Sequence, residues 1–580
     1  MKVRTTTILF VLLTVTNACS LAWCEETGTE NSPQKTVKIT ISPETTYITE
    51  PLLPDGRVDY YGAINRRLSE GVTKENNIYA GICQLIPGED EVSLLLRGNR
   101  ENKEHIEFRE KYYQMLGLDA LPDLDSLQKT TPPGTFEPSG IDPYQQLLKF
   151  YPKEEIDVKI EARITGEKTD ENHSQVCRNI IFDEYYNDAM QRIFMEKECP
   201  LVADWMKEST GLANKLIEIS KRPQSFNPIV RMSDESTLLE FRFPYLQATR
   251  ELARYFQVRG NWHFGRSEYD EAMECAFTSF RLGTTMRSNS GFVIEELVGI
   301  ALQGIAHYQI VNYLIRLKNK KDAAWILAKQ EEYRAIREQR KIRRDLPPWF
   351  IGERCMTLSV ISMAASHLDK LKAMWDADDT QQNMLLEKCC DWDYDYDWDK
   401  ILKRINSYWE DTEDIMLLPD FFRRAKAIER LEARLGEKAR LLNDMTITPE
   451  TDRDHLLADY FYCLMTPALS AAHFAMLRIE CTAQMSDVAF SVAAWRSDHG
   501  EYPDTLEQLV PKYLDQVPVS LYTNKPLRYL KRANDVLLVN DETFLLDGSE
   551  AEVEQRIADA PAGDYVYPLV RSFIVILHKH

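Results

Sequence analysis

Apolar residues recur every three to four positions along most of the chain, which is the spacing of helices that bury one face. The first such segments cover residues 59–71, 75–87 and 102–117, and each ends at a glycine or a proline, as helices commonly do. Before them, apolar and polar residues alternate over residues 37–41, which predicts a short half-buried strand. The pattern therefore predicts a mainly α fold with a short N-terminal strand segment.

The middle of the chain, residues 200–426, has an almost continuously helical pattern, and we expect the core there. The clearest core candidates are apolar residues that share one helix face: Tyr245, Leu246, Leu252, Tyr255 and Phe256. After them, Gly265, Tyr269, Ala272 and Ala276 are spaced like the second half of a tetratricopeptide unit, in which small residues let two helices pack closely. No second copy follows at the period of about 34 residues of such arrays, so the prediction is packed helical hairpins that are only weakly tetratricopeptide-like.

The last part of the chain predicts a long helix followed by a small α/β module. The helix covers residues 451–496, with a kink expected at Pro467. Five residues with strand-compatible side chains follow: Leu527, Tyr529, Val536, Leu538 and Val539. The Ala533-Asn534-Asp535 break between them predicts a hairpin turn.

These patterns divide the chain into segments of different character. Residues 37–120 hold the N-terminal strand and helices, and residues 141–450 form the helical core. Between them, the proline-rich residues 121–140 have the composition of a linker. Residues 451–580 hold the long helix and the α/β module.

The N-terminus has the order of a secretory signal peptide. Lys2 and Arg4 precede an apolar stretch over residues 8–15, and small and polar residues follow. Ser20-Leu21-Ala22 fits a cleavage site, so residues 1–22 are predicted to be a signal peptide and residues 23–36 a polar tether. Thr16-Asn17-Ala18-Cys19 is an imperfect lipoprotein box, which leaves a lipid anchor at Cys19 as the alternative and the only membrane attachment expected. Either reading predicts export to the periplasm or the cell-envelope surface.

Composition narrows the range of partners. The 44% hydrophobic and 28% charged content is that of an ordinary globular protein. With 70 basic and 91 acidic residues the net charge is −21, which repels phosphate backbones and argues against nucleic-acid binding. The nine cysteines beyond Cys24 are too widely spread for a disulfide scaffold, and Cys177 with Cys199 is the best candidate pair.

Six stretches of the chain carry a resemblance to known proteins: DYYGAINRRLSEGVTKENN, LVADWMKESTGLANKLIEISKRPQSFNPIV, FPYLQATRELARYF, EELVGIALQGIAH, DWDKILKRIN and YPDTLEQLVPKYL. They resemble a family of exported proteins of unknown function in planctomycete-type bacteria. The likeness covers most of the chain and implies export without an assigned activity. The final module also resembles the globular part of the major pseudopilins of type II secretion, through Asp498, Gly500, Tyr502, Pro503, Leu506, Leu509 and Val510. This second likeness implies a shared shape for the module, without filament assembly.

One predicted helix carries candidate chemistry. Within GFVIEELVGIALQGIAH, Glu296, Gln303 and His307 share one face and can form an acid/base or metal-binding set, with Glu296 and His307 as the catalytic candidates. The alternative is a polar stripe with internal hydrogen bonds, which is favoured because a catalytic metal usually needs three protein ligands. Gly299 and Gly304 predict that this helix is buried and packs closely against a neighbour.

A second candidate site is the acidic tract that begins at Asp391. Asp391, Asp393 and Asp395 alternate with aromatic residues, and carboxylates at this density can bind Ca²⁺. The tract is not an EF-hand loop, because Tyr396 stands where the glycine is required and Leu402 where the last glutamate is required. A solvated acidic loop that caps the helix near Asp399 is the favoured alternative, and no cofactor is predicted.

No strong catalytic signature occurs, since HExxH, GxSxG, GxxxxGKS and CxxC are all missing from the sequence. The first hypothesis is therefore an exported helical scaffold or protein-interaction protein of the cell envelope, with an unidentified protein partner. The second is an exported hydrolase with a site between helices around Glu296 and His307. The third is a structural protein stabilised by calcium.

Overall fold

The structure of the protein is a computed structural model. This structure describes residues 39–86, 103–118, 153, 157–158, 170–233, 236–317, 320–339, 346–367, 389–391, 393–448, 450–466, 469–521, 524–531, 535–539, 566–569 and 572–578. The predicted signal peptide, the polar tether and the proline-rich linker lie outside these residues.

The described part of the chain is mainly helical, as the sequence predicts. Its N-terminal helices are α1 (Tyr60–Leu68), α2 (Ile78–Ile82) and α3 (Lys103–Met115). The central helices are α4 (Asp170–Gln191), α5 (Pro200–Glu208), α6 (Thr210–Ser220), α7 (Leu246–Gly265), α8 (Tyr269–Ser288), α9 (Val293–Leu317), α10 (Ala323–Gln339), α11 (Pro348–Ser366), α12 (Trp398–Met416) and α13 (Phe421–Asp444). The last helices are α14 (Arg453–Met465) and α15 (Leu469–His499).

Side chains fix several of the helix starts. Asp59 accepts a hydrogen bond from the backbone N–H of Gly62 and so caps α1, and Asn77 caps α2 in the same way through Tyr79. These bonds satisfy N–H groups that have no partner within the helix. The chain enters its N-terminal helices where the sequence predicts, although α1 and α2 are shorter than the predicted segments.

The predicted N-terminal strand is wrong where the structure can test it. Residues 39–41 form no strand, and Val37 lies outside the described residues. Ile39 and Ile41 are partly buried against the core while Thr40 is exposed. The alternation of apolar and polar residues therefore reflects the burial of alternate side chains without pairing in a sheet. The backbone N–H of Thr40 donates to Asp399 at 2.8 Å, a side-chain bond in place of a sheet partner.

The predicted long helix over residues 451–496 is two helices. Helix α14 ends at Met465 and α15 begins at Leu469, with Pro467 between them and outside the described residues. Thr466, which precedes the proline, has φ −74° and ψ 117°. Steric contact with a following proline disfavours helical ψ, so the helix ends there where a kink was predicted.

The C-terminal module is a four-stranded antiparallel sheet that follows α15. Its strands are β1 (Arg528–Lys531), β2 (Asp535–Val539), β3 (Val566–Leu569) and β4 (Ser572–His578), in the order β1-β2-β4-β3. Strands β1 and β2 pair antiparallel with Tyr529 opposite Leu538, which confirms the predicted strand pair, and Ala533 and Asn534 of the predicted turn lie outside the described residues. Residues of β3 and β4 contact α9, so the module rests on the helical core.

Helices α7, α8 and α9 pack against one another in chain order, and α15 packs across α9 and α10. Four of the five predicted core residues at the start of α7 are confirmed, since Tyr245, Leu252, Tyr255 and Phe256 are buried, whereas Leu246 is only partly buried. The prediction that Cys177 pairs with Cys199 is wrong, because both are buried thiols and no disulfide joins them. Cys177 packs with Ile180 and Ile181 of its own helix, whereas Cys199 lies in the main core.

Helices α8 and α9 approach each other at two glycines. A Cβ atom on Gly283 would lie 2.5 Å from the backbone oxygen of Gly299, and one on Gly299 would lie 2.6 Å from Arg287 Cγ. The prediction that Gly299 serves close packing is therefore confirmed. The same prediction for Gly304 is wrong, because a Cβ atom there would meet nothing within 4 Å.

Replacing Gly283 by alanine should therefore destabilise the protein by about 2 kcal/mol, the usual scale for overpacking a tight core. Gly304→Ala is the matched control, and it should raise stability by up to ~1 kcal/mol because alanine favours the helix more than glycine does. Urea unfolding of both variants measures the difference. Equal stabilities of the two variants would show that the α8–α9 contact is looser than described.

Candidate functional site

The candidate Glu296 belongs to a buried ion pair between α8 and α9. Its carboxylate accepts a hydrogen bond from Arg287 Nε at 2.8 Å, and the two side chains are 4% and 2% exposed. Arg287 also donates to Gln303 Oε1 at 2.6 Å, and Gln303 donates to Thr284 Oγ1 at 2.7 Å. Glu480 of α15 lies 3.4 Å from Arg287. Burial disfavours the charged guanidinium, but the two carboxylates outweigh burial and raise the pKa of Arg287.

The candidate His307 lies four residues, about one helical turn, beyond Gln303 on α9, and its partners come from other helices. Its Nδ1 is 3.0 Å from Ser486 Oγ of α15, and its ring centroid is 5.1 Å from Phe280 and 5.9 Å from Tyr333. Its Nε2 is buried without a hydrogen-bond partner among the described residues. Burial, together with the positive charges of Arg337 and Arg287, lowers the pKa of His307 to about 3.

Glu296 and His307 share a helix face but do not meet. They are eleven residues apart, which corresponds to about 16 Å along a helix axis. Each has its own set of partners, Arg287 for Glu296 and Ser486 for His307. One reacting bond cannot contact both side chains at hydrogen-bonding distance. In this arrangement they connect α8, α9 and α15 as polar contacts inside the core.

The neutral state of His307 gives a test of this structural role. Because its pKa is lower in the folded protein than in the unfolded chain, stability from this group is complete above pH ~6.5 and is lost as pH falls toward 3. Between pH 8 and pH 5, the free energy of unfolding of wild type should therefore fall by about 2 kcal/mol more than that of the His307→Gln variant. Urea unfolding of wild type and variant at the two pH values measures it. A pH dependence unchanged by the substitution would mean that His307 titrates normally and is accessible to solvent.

The acidic tract lies at the start of α12 and is already engaged with the protein. Asp391 forms an ion pair with Arg453 at 3.0 Å, and its backbone N–H donates to Tyr396 Oη at 2.8 Å. Asp397 caps α12 by accepting from the N–H of Lys400 at 3.1 Å. The predicted capping of this helix by the acidic tract is therefore confirmed, and Asp397 is the capping residue.

The structure does not gather the three predicted calcium ligands. Asp393 and Asp395 are exposed, whereas Asp391 is partly buried against Arg453. Within the ranges that the structure describes, no three His, Cys, Asp or Glu side chains come together as a metal site would require. Asp391, Asp393 and Asp395 therefore remain a predicted site with no cofactor identified.

Two buried carboxylates at the start of α9 were not predicted from the sequence. Glu295 accepts from the N–H of Gly291 at 2.7 Å and from Asn227 Nδ2 at 3.0 Å. Glu353 of α11 accepts from the N–H of Val293 at 2.9 Å. Burial raises the pKa of each carboxyl to about 7. Both groups bind the N-terminal N–H groups of α9 and the loop before it, so they fix the position of that helix.

A surface cleft lies among α1, α3 and residues 229–233, with a volume of about 390 Å³. This is at the lower end of the roughly 300–1,000 Å³ of typical ligand sites. Met115 at the end of α3 lines the cleft and is 38% exposed. Lys111 and Arg231 also line it, and Arg231 lies 3.2 Å from Asp59.

The wall of the cleft is a stretch of backbone held by one asparagine. Residues 227–232 run without helix, turn or bend. Asn65 of α1 donates through Nδ2 to the carbonyl of Ile229 at 2.7 Å and accepts from its N–H at 2.9 Å. This is the pair of bonds that a neighbouring strand would make. The backbone groups of Val230 and Met232 form no hydrogen bond with the described part of the chain.

No protein family, no curated protein and no solved structure matches this chain. The predicted resemblance to exported planctomycete-type proteins and to pseudopilins stays a prediction from the residues quoted above. Among the helices that the structure describes, none is both long enough and apolar enough to cross a lipid bilayer.

Proposed function

We propose that the protein is an exported interaction protein of the cell envelope, and that it binds a protein partner through the cleft among α1, α3 and residues 229–233. The predicted signal peptide and the likeness to exported proteins support the location. The C-terminal sheet, which contacts α9, offers a second surface for docking. The helices of the protein connect the cleft and the C-terminal sheet.

The observation that carries this proposal is the exposure of Met115 in a cleft whose wall has main-chain groups without partners. Apolar surface and unsatisfied backbone groups in one concave site are what a partner polypeptide can cover. By contrast, Glu296 and His307 are buried and have partners in neighbouring helices, so their side chains are occupied within the fold. An interaction role accounts for both observations.

The test is affinity capture from the detergent-solubilised native envelope with the mature protein as bait. Met115→Arg places a charge in the cleft, and Leu441→Arg is the matched control. Leu441 is a 53% exposed apolar residue near the end of α13 and does not line the cleft. We expect specific partner bands with wild type and Leu441→Arg that are lost with Met115→Arg.

Both variants should melt at the temperature of wild type, since each substitution is on the surface. Partner bands that are the same for all three baits would contradict the assignment of the cleft. An absence of any band that exceeds a bait-free control would contradict the interaction role itself.

A further inference from the structure

Helix α13 carries a row of exposed arginines that are not engaged with the rest of the described structure. Arg423, Arg430 and Arg434 are exposed, and their guanidinium groups form no hydrogen bond or ion pair with any residue that the structure describes. Lys438 of the same helix behaves differently, since it lies 2.9 Å from Asp459 of α14. The three arginines, which we call the arginine row, therefore hold no described neighbour in place.

The arginine row occupies one face of α13. Residues seven and eleven positions apart on a helix share a face, and Arg430 and Arg434 follow Arg423 at these spacings. Leu441 comes eighteen residues after Arg423, which is five full turns, so it lies on the same face, and it is 53% exposed. This face thus presents three cations over about 16 Å, followed by an apolar side chain.

The acidic residues of α13 do not neutralise this face. Glu437 is the one closest to it, and it forms no ion pair with the arginine row in the described part of the chain. Glu429 lies about 100° around the helix axis from Arg430, and Asp444 is paired with Arg440 at 3.2 Å. Three cations against one carboxylate make the face positive, although the chain has a net charge of −21.

The net charge of the chain does not decide what this face binds. At an ionic strength of about 0.1 M, exposed charges more than ~10 Å apart are largely screened from each other. A charged surface in contact with α13 is therefore affected mainly by the arginine row. The face is complementary to a surface that carries negative charge together with an apolar layer.

We propose that this face of α13 binds the surface of a membrane that contains anionic phospholipids. The arginines donate hydrogen bonds to lipid phosphates, since the planar guanidinium matches the geometry of a phosphate group. Leu441 enters the boundary between headgroups and acyl chains, as apolar residues of interfacial helices do. The helix lies along the membrane surface without crossing it, and this contact is separate from the cleft.

A membrane fits this face better than an acidic polypeptide does. The arginines lie along the convex surface of one helix, where a bound polypeptide would keep most of its own surface in water. Solvent-exposed ion pairs of that kind contribute little to binding. A membrane offers phosphates to all three arginines at once and also accommodates Leu441. Each arginine close to an anionic surface should strengthen binding about fivefold.

Co-flotation with lipid vesicles tests the proposal on the mature protein, residues 23–580. Vesicles of phosphatidylcholine with about 30% phosphatidylglycerol should bind the protein at least tenfold more strongly than vesicles of phosphatidylcholine alone. Raising NaCl from about 0.1 M to about 0.5 M should release most of the bound protein, because salt screens the charges. No binding, equal binding to both vesicles, or binding that salt does not weaken would overturn the membrane contact.

Substitution of the arginine row tests which residues bind. The triple variant Arg423→Gln, Arg430→Gln and Arg434→Gln should weaken binding to the anionic vesicles about a hundredfold. It should melt at the temperature of wild type, since the residues are exposed and glutamine has a helix propensity close to that of arginine. Leu441→Ala should weaken binding about fivefold and keep the salt dependence of wild type, because it removes apolar surface and no charge.

The matched control makes the same change in net charge at three ion-paired cations outside α13. Their side chains are 41%, 48% and 41% exposed, and the substitutions are Arg192→Gln, Lys221→Gln and Arg254→Gln. This variant should bind anionic vesicles within about twofold of wild type. A loss as large as that of the first triple variant would show that net charge controls binding, and it would overturn the assignment to α13.

Soluble polyglutamate tests the other occupant, an acidic polypeptide. We expect it to displace the protein from anionic vesicles only when its carboxylates greatly outnumber the lipid phosphates. Displacement at equal concentrations of charge would assign the arginine row to an acidic partner and overturn the membrane contact. Met115→Arg should bind the vesicles as wild type does, so failure of the cleft and failure of the membrane contact can be told apart.

Discussion

Replacing Glu296 by alanine is expected to destabilise the protein by about 3 to 5 kcal/mol, the largest effect of any single substitution considered. The substitution leaves the guanidinium of Arg287 in a site where its side chain is 2% exposed, with its closest carboxylate removed. Glu480 at 3.4 Å and Gln303 at 2.6 Å cannot fully replace it. Urea unfolding at pH 7 measures the loss.

A matched control is the exposed ion pair between Glu251 and Arg254 on α7, whose atoms are 2.7 Å apart and whose side chains are 48% and 41% exposed. Glu251→Ala should change stability by less than about 1 kcal/mol, because solvent screens exposed charges. The double variant Arg287→Met with Glu296→Leu should recover most of the loss, since it removes both buried charges. A Glu296→Ala protein within 1 kcal/mol of wild type would show that Glu296 is solvated and available for chemistry.

The second large effect is expected when Glu295 and Glu353 are both replaced by glutamine. The folded protein holds each carboxyl at a pKa of about 7, above its value of about 4.5 in the unfolded chain. The stability that protonation supplies is complete below pH 4.5 and is lost as pH rises through 7. Glutamine is neutral at every pH and keeps an oxygen that can accept the N–H groups of Gly291 and Val293.

The double variant should therefore gain stability over wild type as pH rises, by roughly 3 kcal/mol per site at pH 8 relative to pH 4.5. The quantity to follow is the difference in free energy of unfolding between the double variant and wild type. His307 and His473 make stability change with pH in the opposite sense, but both proteins contain them, so their contributions cancel in this difference. Urea unfolding from pH 4.5 to pH 8 provides it. A difference that stays constant over this range would mean that the two carboxyls are ionised in the folded protein near pH 5.

Much of the fold could be predicted from the sequence because helices leave a local pattern. The spacing of Tyr245, Leu252 and Phe256 predicts their buried face, and the structure places all three in the core. The break before Pro467 and the missing strand at residues 39–41 show where local patterns are ambiguous. Partial burial produces the same alternation as a strand, and a proline permits either a kink or an end.

The polar sites could be predicted only in part, because partners of a buried charge come from distant parts of the chain. Glu296 was found by its helix position, but Glu480, which completes the network around Arg287, is 193 residues further along than Arg287. Asn65 and Ile229 are 164 residues apart, so no local pattern indicates the two hydrogen bonds between them. The sequence does not specify which helices meet, and these sites depend on that information.

The most direct test of the interaction role is photo-crosslinking in intact native cells with a photoreactive amino acid at position 115. The same amino acid at position 441 is the control, since both positions are exposed on helices and only position 115 lines the cleft. An interaction protein predicts a discrete covalent adduct with another protein from position 115 and none from position 441. No adduct at position 115, or the same adducts from both positions, would contradict it.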